Sequence, residues 1–105
     1  MSEFQMVYIV CSAESEAILI AENLVKERLV ACANIFPSIQ SFYWWEGKVQ
    51  KGKEVALFLK SKSNHFEAIQ KRVKELHSYE VPCIVALPIQ NGEKNYLSWI
   101  EKESL

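Results

Sequence analysis

The stretch Val30-Ala31-Cys32-Ala33-Asn34-Ile35-Phe36-Pro37-Ser38-Ile39-Gln40-Ser41-Phe42-Tyr43-Trp44-Trp45-Glu46-Gly47 decides the fold. Val30 to Phe36 reads as an apolar strand. Pro37 has no N–H to donate to a ladder, so it marks a bulge or a kink. Ile39 to Trp45 resumes the strand with a run of aromatics. Glu46-Gly47 is a close relative of the Asp-Gly hairpin turn. Val49 to Leu59 then returns as the partner strand, with a second bulge expected at Gly52. Both limbs outrun the roughly 5–6 residues of an ordinary strand. The hairpin should therefore project beyond the body of a domain of 105 residues.

Upstream, Met6 to Cys11 is a nearly continuous, β-branched apolar run, the pattern of a strand in mid-sheet. A helix is expected from about 13 to 28. Ser12 is its N-cap, Glu14 and Glu16 sit where the helix dipole favours anions, and Lys26 and Arg28 sit where it favours cations. Ala17, Ala21, Leu24 and Arg28 lie along one stripe at helical spacing, with Ile18, Val25 and Leu29 beside it. Downstream, Ser63 or Asn64 should cap a second helix, with Glu67 placed for a loose capping box on Asn64. Phe66, Ile69, Val73 and Leu76 form its apolar face. His77 to Glu80 is an exit loop. Cys83 to Ile89 is the last strand, and Glu93 to Lys102 a short final helix with Tyr96, Leu97 and Ile100 on one face.

The order β-α-β-β-α-β-α is a split βαβ pattern in a single domain over 1–105. It predicts an α+β, ferredoxin-like sandwich with an extra C-terminal helix and both main helices on one face of an antiparallel sheet. The other face is left apolar and largely uncovered, and the hairpin is aromatic and projecting. Both features argue for assembly with sister copies.

Half of the residues are hydrophobic and the formal net charge is −1. Neither nucleic acid nor an anionic membrane is implied, because both favour a basic face. The N-terminus has no basic region and the run after it is too short for a signal peptide, so a cytoplasmic protein is expected. No stretch approaches the ~20 apolar residues of a membrane span. Cys11, Cys32 and Cys83 are odd in number and widely spaced, which fits free thiols in a reducing compartment.

Four strings resemble the CutA family of divalent-ion tolerance proteins: Leu29-Val30-Ala31-Cys32-Ala33-Asn34, Tyr43-Trp44-Trp45-Glu46-Gly47-Lys48, His77-Ser78-Tyr79-Glu80-Val81-Pro82 and Tyr96-Leu97-Ser98-Trp99-Ile100. They stand in that family's order and spacing. The resemblance implies a ferredoxin-like homotrimer similar in architecture to PII signalling proteins. It also implies a link to copper or another divalent transition metal. One departure stands out: the family motif usually reads His-Pro-Tyr, often after a second histidine, whereas this chain has Leu76-His77-Ser78-Tyr79. A site built on two neighbouring histidines cannot form here, and without the proline φ is not fixed before Tyr79.

Thiolate and imidazole together suit copper(I) and zinc. Cys11, at the end of the first strand, and His77, after the second helix, are the expected metal ligands, with Cys32 and Cys83 in reserve. Each cysteine also has a plain reading as a small core residue, and His65 reads as an ordinary surface residue. Tyr43, Trp44, Trp45, Tyr79, Tyr96 and Trp99, with Glu46, Lys60 and Glu80 beside them, could line a pocket between subunits or serve as interface contacts. No Ser-His-Asp order and no glycine-rich phosphate loop occurs among only three glycines. No catalytic residue is expected, and the leading reading is a non-enzymatic metal-tolerance protein. The alternative is a PII-like signalling module that holds a small ligand in intersubunit clefts, where the aromatics and Lys60 would matter more than the thiols.

Overall fold

The computed structural model describes residues 2–105, so Met1 of the domain expected over 1–105 lies outside the described residues. The elements are β1 (Phe4–Cys11), α1 (Glu14–Lys26), β2 (Cys32–Trp45), β3 (Lys48–Lys62), α2 (Phe66–Leu76), β4 (Ile84–Pro88) and α3 (Lys94–Glu103). The strands form one sheet in the order β2-β3-β1-β4, and every pairing is antiparallel. This is the split βαβ arrangement that the sequence pattern predicts.

The core follows from strand alternation. Along β1, Gln5, Val7, Ile9 and Cys11 are buried, while the residues between them are half-buried. Val7, Ile9 and Cys11 pair with Leu59, Leu57 and Val55, so all of these side chains point to one face of the sheet. Ala17, Ile20 and Leu24 of α1 and Ile69 and Val73 of α2 close that face into one apolar cluster. Ile18 and Val25, expected beside the buried stripe, turn outward instead, and Ile20 takes the core position. On the opposite face Phe58 packs between Tyr8 and Phe36, with ring centroids 5.0 and 5.3 Å away. Phe36 stays exposed there, as do Val85 and Leu87 of β4.

β2 and β3 run on as an arm past the body, giving a molecule 44 Å long and 25 by 23 Å across. The register shifts between Phe36 and Ile39, so Pro37 does mark a bulge. Gly52 does not, because it pairs with Ser41 in register. At the tip Glu46 and Gly47 both have positive φ, 51° and 77°, the backbone of a type I′ turn that matches strand twist.

The helix ends differ from the expectation in instructive ways. Ser12 is not the N-cap of α1. Ala13 holds that position without a side-chain cap, and Glu16 reaches back to accept from the Ser12 N–H at 3.2 Å. Neither Ser63 nor Asn64 caps α2; Ser63–His65 form a single 3-10 turn that runs into it. At α3 the Glu93 side chain accepts from the Tyr96 N–H at 2.9 Å. His65, expected at the surface, is half-buried. Its Nδ1 lies 2.9 Å from the Leu29 carbonyl and 3.1 Å from Ser104 Oγ, which ties the end of the chain to the loop after α1.

α1 stops two residues short of Arg28. Leu29 N–H donates to Leu24 O at 3.1 Å and Arg28 N–H to Val25 O at 3.0 Å, the paired bonds of a Schellman ending. Arg28 occupies the left-handed position with φ 62°, where a Cβ is unfavourable. Its guanidinium compensates by meeting Glu103 at 2.7 Å. Arg28→Gly and Arg28→Ala both lose that ion pair, so the difference between them isolates the backbone. In urea denaturation the glycine variant should be the more stable by about 1 kcal/mol, with the same slope.

Candidate metal centre

Cys11, Glu16 and His77 come from three different elements and meet at one end of the sheet. Cys11 is the last residue of β1, and alternation turns it toward the helices. Glu16 lies in the first turn of α1. His77 is the C-cap of α2. One donor atom from each lies within 4.8 Å of the other two. A tetrahedral ion with metal–ligand bonds of about 2.0–2.3 Å holds its donors ~3.5 Å apart. Closing on an ion therefore asks for a contraction of about 1.3 Å at most.

The hydrogen bonds fix the histidine tautomer. His77 Nε2 is 2.7 Å from the Val10 carbonyl, which can only accept, so Nε2 carries the hydrogen. Nδ1 then offers its lone pair, and the Tyr79 N–H donates to it at 3.0 Å. The same Nδ1 is 3.6 Å from Glu16 Oε1, and the His77 side chain is fully buried. A backbone carbonyl behind a ligating imidazole is the arrangement that holds such rings for metal. An ion at Nδ1 takes over the lone pair that now receives the Tyr79 N–H.

Charge at the site is set by burial. Burial, then Glu16 and Glu54, push the Cys11 thiol up to about 12. The thiol therefore stays protonated near neutrality. Glu16 behaves in the opposite way. Burial works against its carboxylate, but the Ser78 hydroxyl, the Ser12 N–H, the His77 ring and the Ser78 N–H outweigh it and hold its pKa below the ordinary value. The backbone donors stand at 3.2 Å (Ser12) and 3.0 Å (Ser78). The donor set is thus one anion, one imidazole offering Nδ1 and one thiol that must lose a proton to bind. Sulfur, nitrogen and oxygen in this combination fit zinc, and the thiol and imidazole fit copper(I). Three protein ligands leave a further coordination position open.

Cys11 and His77, paired by expectation, are brought together. Cys32 and Cys83 are not part of the group. Cys32 lies on the face away from α1 and α2, where its Sγ is 3.6 Å from the hydroxyl of Tyr96 on α3. Cys83 lines a groove beside the centre, and burial, then Glu54, raise its pKa. The groove has a volume of about 770 Å³ and takes in Tyr43, Trp45, Tyr79 and Glu80 of the expected pocket, together with Glu54. Tyr79 Oη donates to Glu54 Oε2 at 2.6 Å, and burial followed by Glu54 raises the Tyr79 phenol.

The other members of the expected pocket lie elsewhere. Trp44 and Glu46 are at the arm tip. Lys60 donates to Asn34 Oδ1 at 3.0 Å and stands 5.7 Å above the Tyr96 ring, which stacks on Trp99 at 5.6 Å. Lys60 points from the face away from α1 and α2 because it pairs with Met6 and Cys32, whose neighbours on either side face the core. Within one chain these residues form separate clusters; the pocket expected from them lies between subunits. Glu16 escaped the sequence reading because its place in a first helical turn already explained it. The available signal was a thiol closing a strand with a carboxylate one helical turn into the next element.

The family model described as CutA1 divalent ion tolerance protein matches residues 5–103. A divalent-cation tolerance protein CutA from Archaeoglobus fulgidus is 45% identical over 96 residues, which cover 91% of this chain and 93% of the relative. One from Thermus thermophilus is 43% identical over 100 residues, covering 95% and 97%. The solved structure of the Archaeoglobus fulgidus protein, described as periplasmic, superposes with a TM-score of 0.94 at 41% identity and covers 97% of this chain and 99% of its own. The Thermus thermophilus structure gives a TM-score of 0.94 at 42% identity, covering 96% and 98%.

The lowered Glu16 pKa predicts a pH dependence. The unfolded chain has the ordinary value near 4.5 and the folded chain a lower one. The stability this carboxylate supplies is therefore complete above that ordinary value and is lost as pH falls through the folded one. Denaturant unfolding of the wild type and Glu16→Gln should differ most at pH 6–7, and the gap should shrink steadily in acid. A gap that stays constant down to the acid limit contradicts this account of Glu16.

Proposed function

This chain belongs to the CutA1 divalent ion tolerance family, and on that premise we propose that it binds a transition metal, copper or zinc, through Cys11, Glu16 and His77. It acts by holding the ion and not by turning over a substrate. The observation that carries this reading is the meeting of three donor atoms within 4.8 Å from three elements distant in sequence. Binding removes the Cys11 proton, because the thiol is neutral in the free protein near pH 7. The incoming positive charge meets the Glu16 carboxylate, already ionised by its backbone donors. Loosening the Tyr79 N–H from His77 is the local cost of admission.

The working unit in this proposal is a homotrimer. Its support is the sheet face away from α1 and α2, with Phe36, Val85 and Leu87 exposed, and the aromatic arm, where Phe42 and Trp44 are 67% and 74% exposed. Apolar surface of this kind is normally covered by a partner. A cytoplasmic location is proposed on the three free thiols. Among the described residues no helix is long and apolar enough to cross a membrane.

Cobalt(II) titration should produce a thiolate-to-metal absorption band that zinc then displaces, with about one proton released per ion near pH 7. Cys11→Ser should abolish the band. Glu16→Gln and His77→Ala should each weaken zinc binding about tenfold or more. Affinity should fall as pH falls. Equal zinc affinity in the wild type and Cys11→Ser removes the metal assignment. Sedimentation equilibrium should give three times the 12.1 kDa mass of one chain, and a stable monomer removes the trimer.

A further inference from the structure

Ser78 touches the metal centre twice without supplying a donor atom to it. It follows His77 directly, in the loop after α2. Its N–H donates to Glu16 Oε2 at 3.0 Å, and its hydroxyl is a further donor to the same carboxylate. The hydroxyl also lies 3.3 Å from Ser12 Oγ. Ser12 N–H donates to the other oxygen, Oε1, at 3.2 Å. Oε1 is the oxygen that stands 3.6 Å from His77 Nδ1. Each Glu16 oxygen therefore holds one backbone N–H, the first from the residue after β1 and the second from the loop after α2. The carboxylate cannot turn about its last bond without giving up both. A carboxylate oxygen has two lone-pair sites, so Oε1 keeps one free beside Nδ1, while Oε2 is turned away to Ser78.

On the strength of the metal assignment to Cys11, Glu16 and His77, we propose that Ser78 is a positioning residue that sets the choice of ion: by engaging Oε2 it makes Glu16 a one-oxygen ligand, which favours a small four-coordinate ion such as zinc over larger ions that take both oxygens of a carboxylate. Large, flexible cations commonly bind carboxylates through two oxygens, whereas zinc sites are compact and tetrahedral. Outer partners that orient a metal-binding carboxylate are worth about 10- to 100-fold in affinity. The backbone around Ser78 suits a stringent substitution. His77 has φ −86° and ψ 143°, the extended conformation that a following proline requires. Proline at 78 deletes the N–H together with the hydroxyl, and alanine deletes the hydroxyl alone.

The test compares zinc and cadmium(II) affinities, by competition with a chromogenic chelator, in the wild type, Ser78→Ala and Ser78→Pro. Ser78→Pro should weaken zinc about tenfold or more and cadmium less, so the preference for zinc falls. Ser78→Ala should move the ratio the same way by a smaller factor, and it alters no backbone, so it decides the matter where the proline variant does not fold. The visible ligand-field bands of bound cobalt(II) should lose intensity in Ser78→Pro as the coordination number rises, while the Cys11 thiolate band persists. In a Glu16→Gln background Ser78→Pro should change zinc affinity by less than about twofold, because its effect runs through that carboxylate. In the metal-free protein the Ser78 amide should exchange slowly with solvent, and Glu16→Ala should speed it about tenfold or more. An unchanged zinc-to-cadmium ratio in the Ser78 variants, an equal loss from Ser78→Pro with and without the Glu16 carboxylate, or equal Ser78 exchange in the wild type and Glu16→Ala each overturn the proposal. A wild type that gives no thiolate band removes the metal assignment as well; a wild type that gives the band, with variants of unaltered selectivity, removes only the role of Ser78.

Discussion

A sheet whose core face is closed by α1 and α2 imposes a strict division on every strand, and β1 is where that division is set. It lies between β3 and β4, so both of its edges are committed to ladder bonds. Its odd-numbered residues face α1 and α2, and its even-numbered residues face away. A slip of one position would reverse every side chain. Val10 would then face the helices and Cys11 the open side. The chemistry of the centre thus rests on the same two-residue period that builds the core. The thiol is inside because it continues the series Val7, Ile9, and it is near solvent-accessible elements because the strand ends there.

This placement also explains the balance of charge at the centre. A buried thiol next to two carboxylates stays neutral, and a carboxylate held by backbone N–H groups stays ionised. The result is a pocket of one negative charge with an exchangeable proton. Such a pocket exchanges protons for a cation without creating an unpaired buried charge. The imidazole is held by Val10 O on one side and by Tyr79 N–H on the other, so its orientation is fixed in the free protein. The loop bearing Tyr79 is consequently part of both the centre and the neighbouring groove.

Much of the fold was legible from the sequence because alternation and helical stripes are strong, local signals. The order of elements, the antiparallel split βαβ topology, the long hairpin and the bulge at Pro37 all follow from residues that act on their immediate neighbours. The misplaced features have a common cause. Gly52 permits a bulge but does not require one, and a well-paired Ser41 opposite leaves none. Ser12 is a good cap by type, yet Glu16 does the capping from inside the helix. Arg28 stands where glycine is preferred, so the helix reads as longer than it is. Cys11 and His77 could be paired from the order of elements. Glu16 left a weaker signal, a carboxylate one helical turn past the strand-ending thiol, because its role also depends on the loop that brings Ser78 and His77 to it. The separation of Lys60 from the other pocket residues is a matter of strand parity. It shows only once Lys60 is counted against Met6 and Cys32.

The central position of the first strand carries a consequence for how the molecule comes into being. β1 is synthesised first, but its two partners lie in the middle of the chain and near its end. Neither edge can be satisfied by a local hairpin. The chain must close two long loops before its best apolar strand is protected, and such closures are slow relative to local pairing. Until β4 arrives, an open edge next to Ile9 and Val7 is available to any other nascent strand. The clasp of Ser104 onto Leu29 and His65 forms only after Ser104 has been made. A chain in synthesis therefore keeps that apolar edge open until β4 has been made and can pair with it.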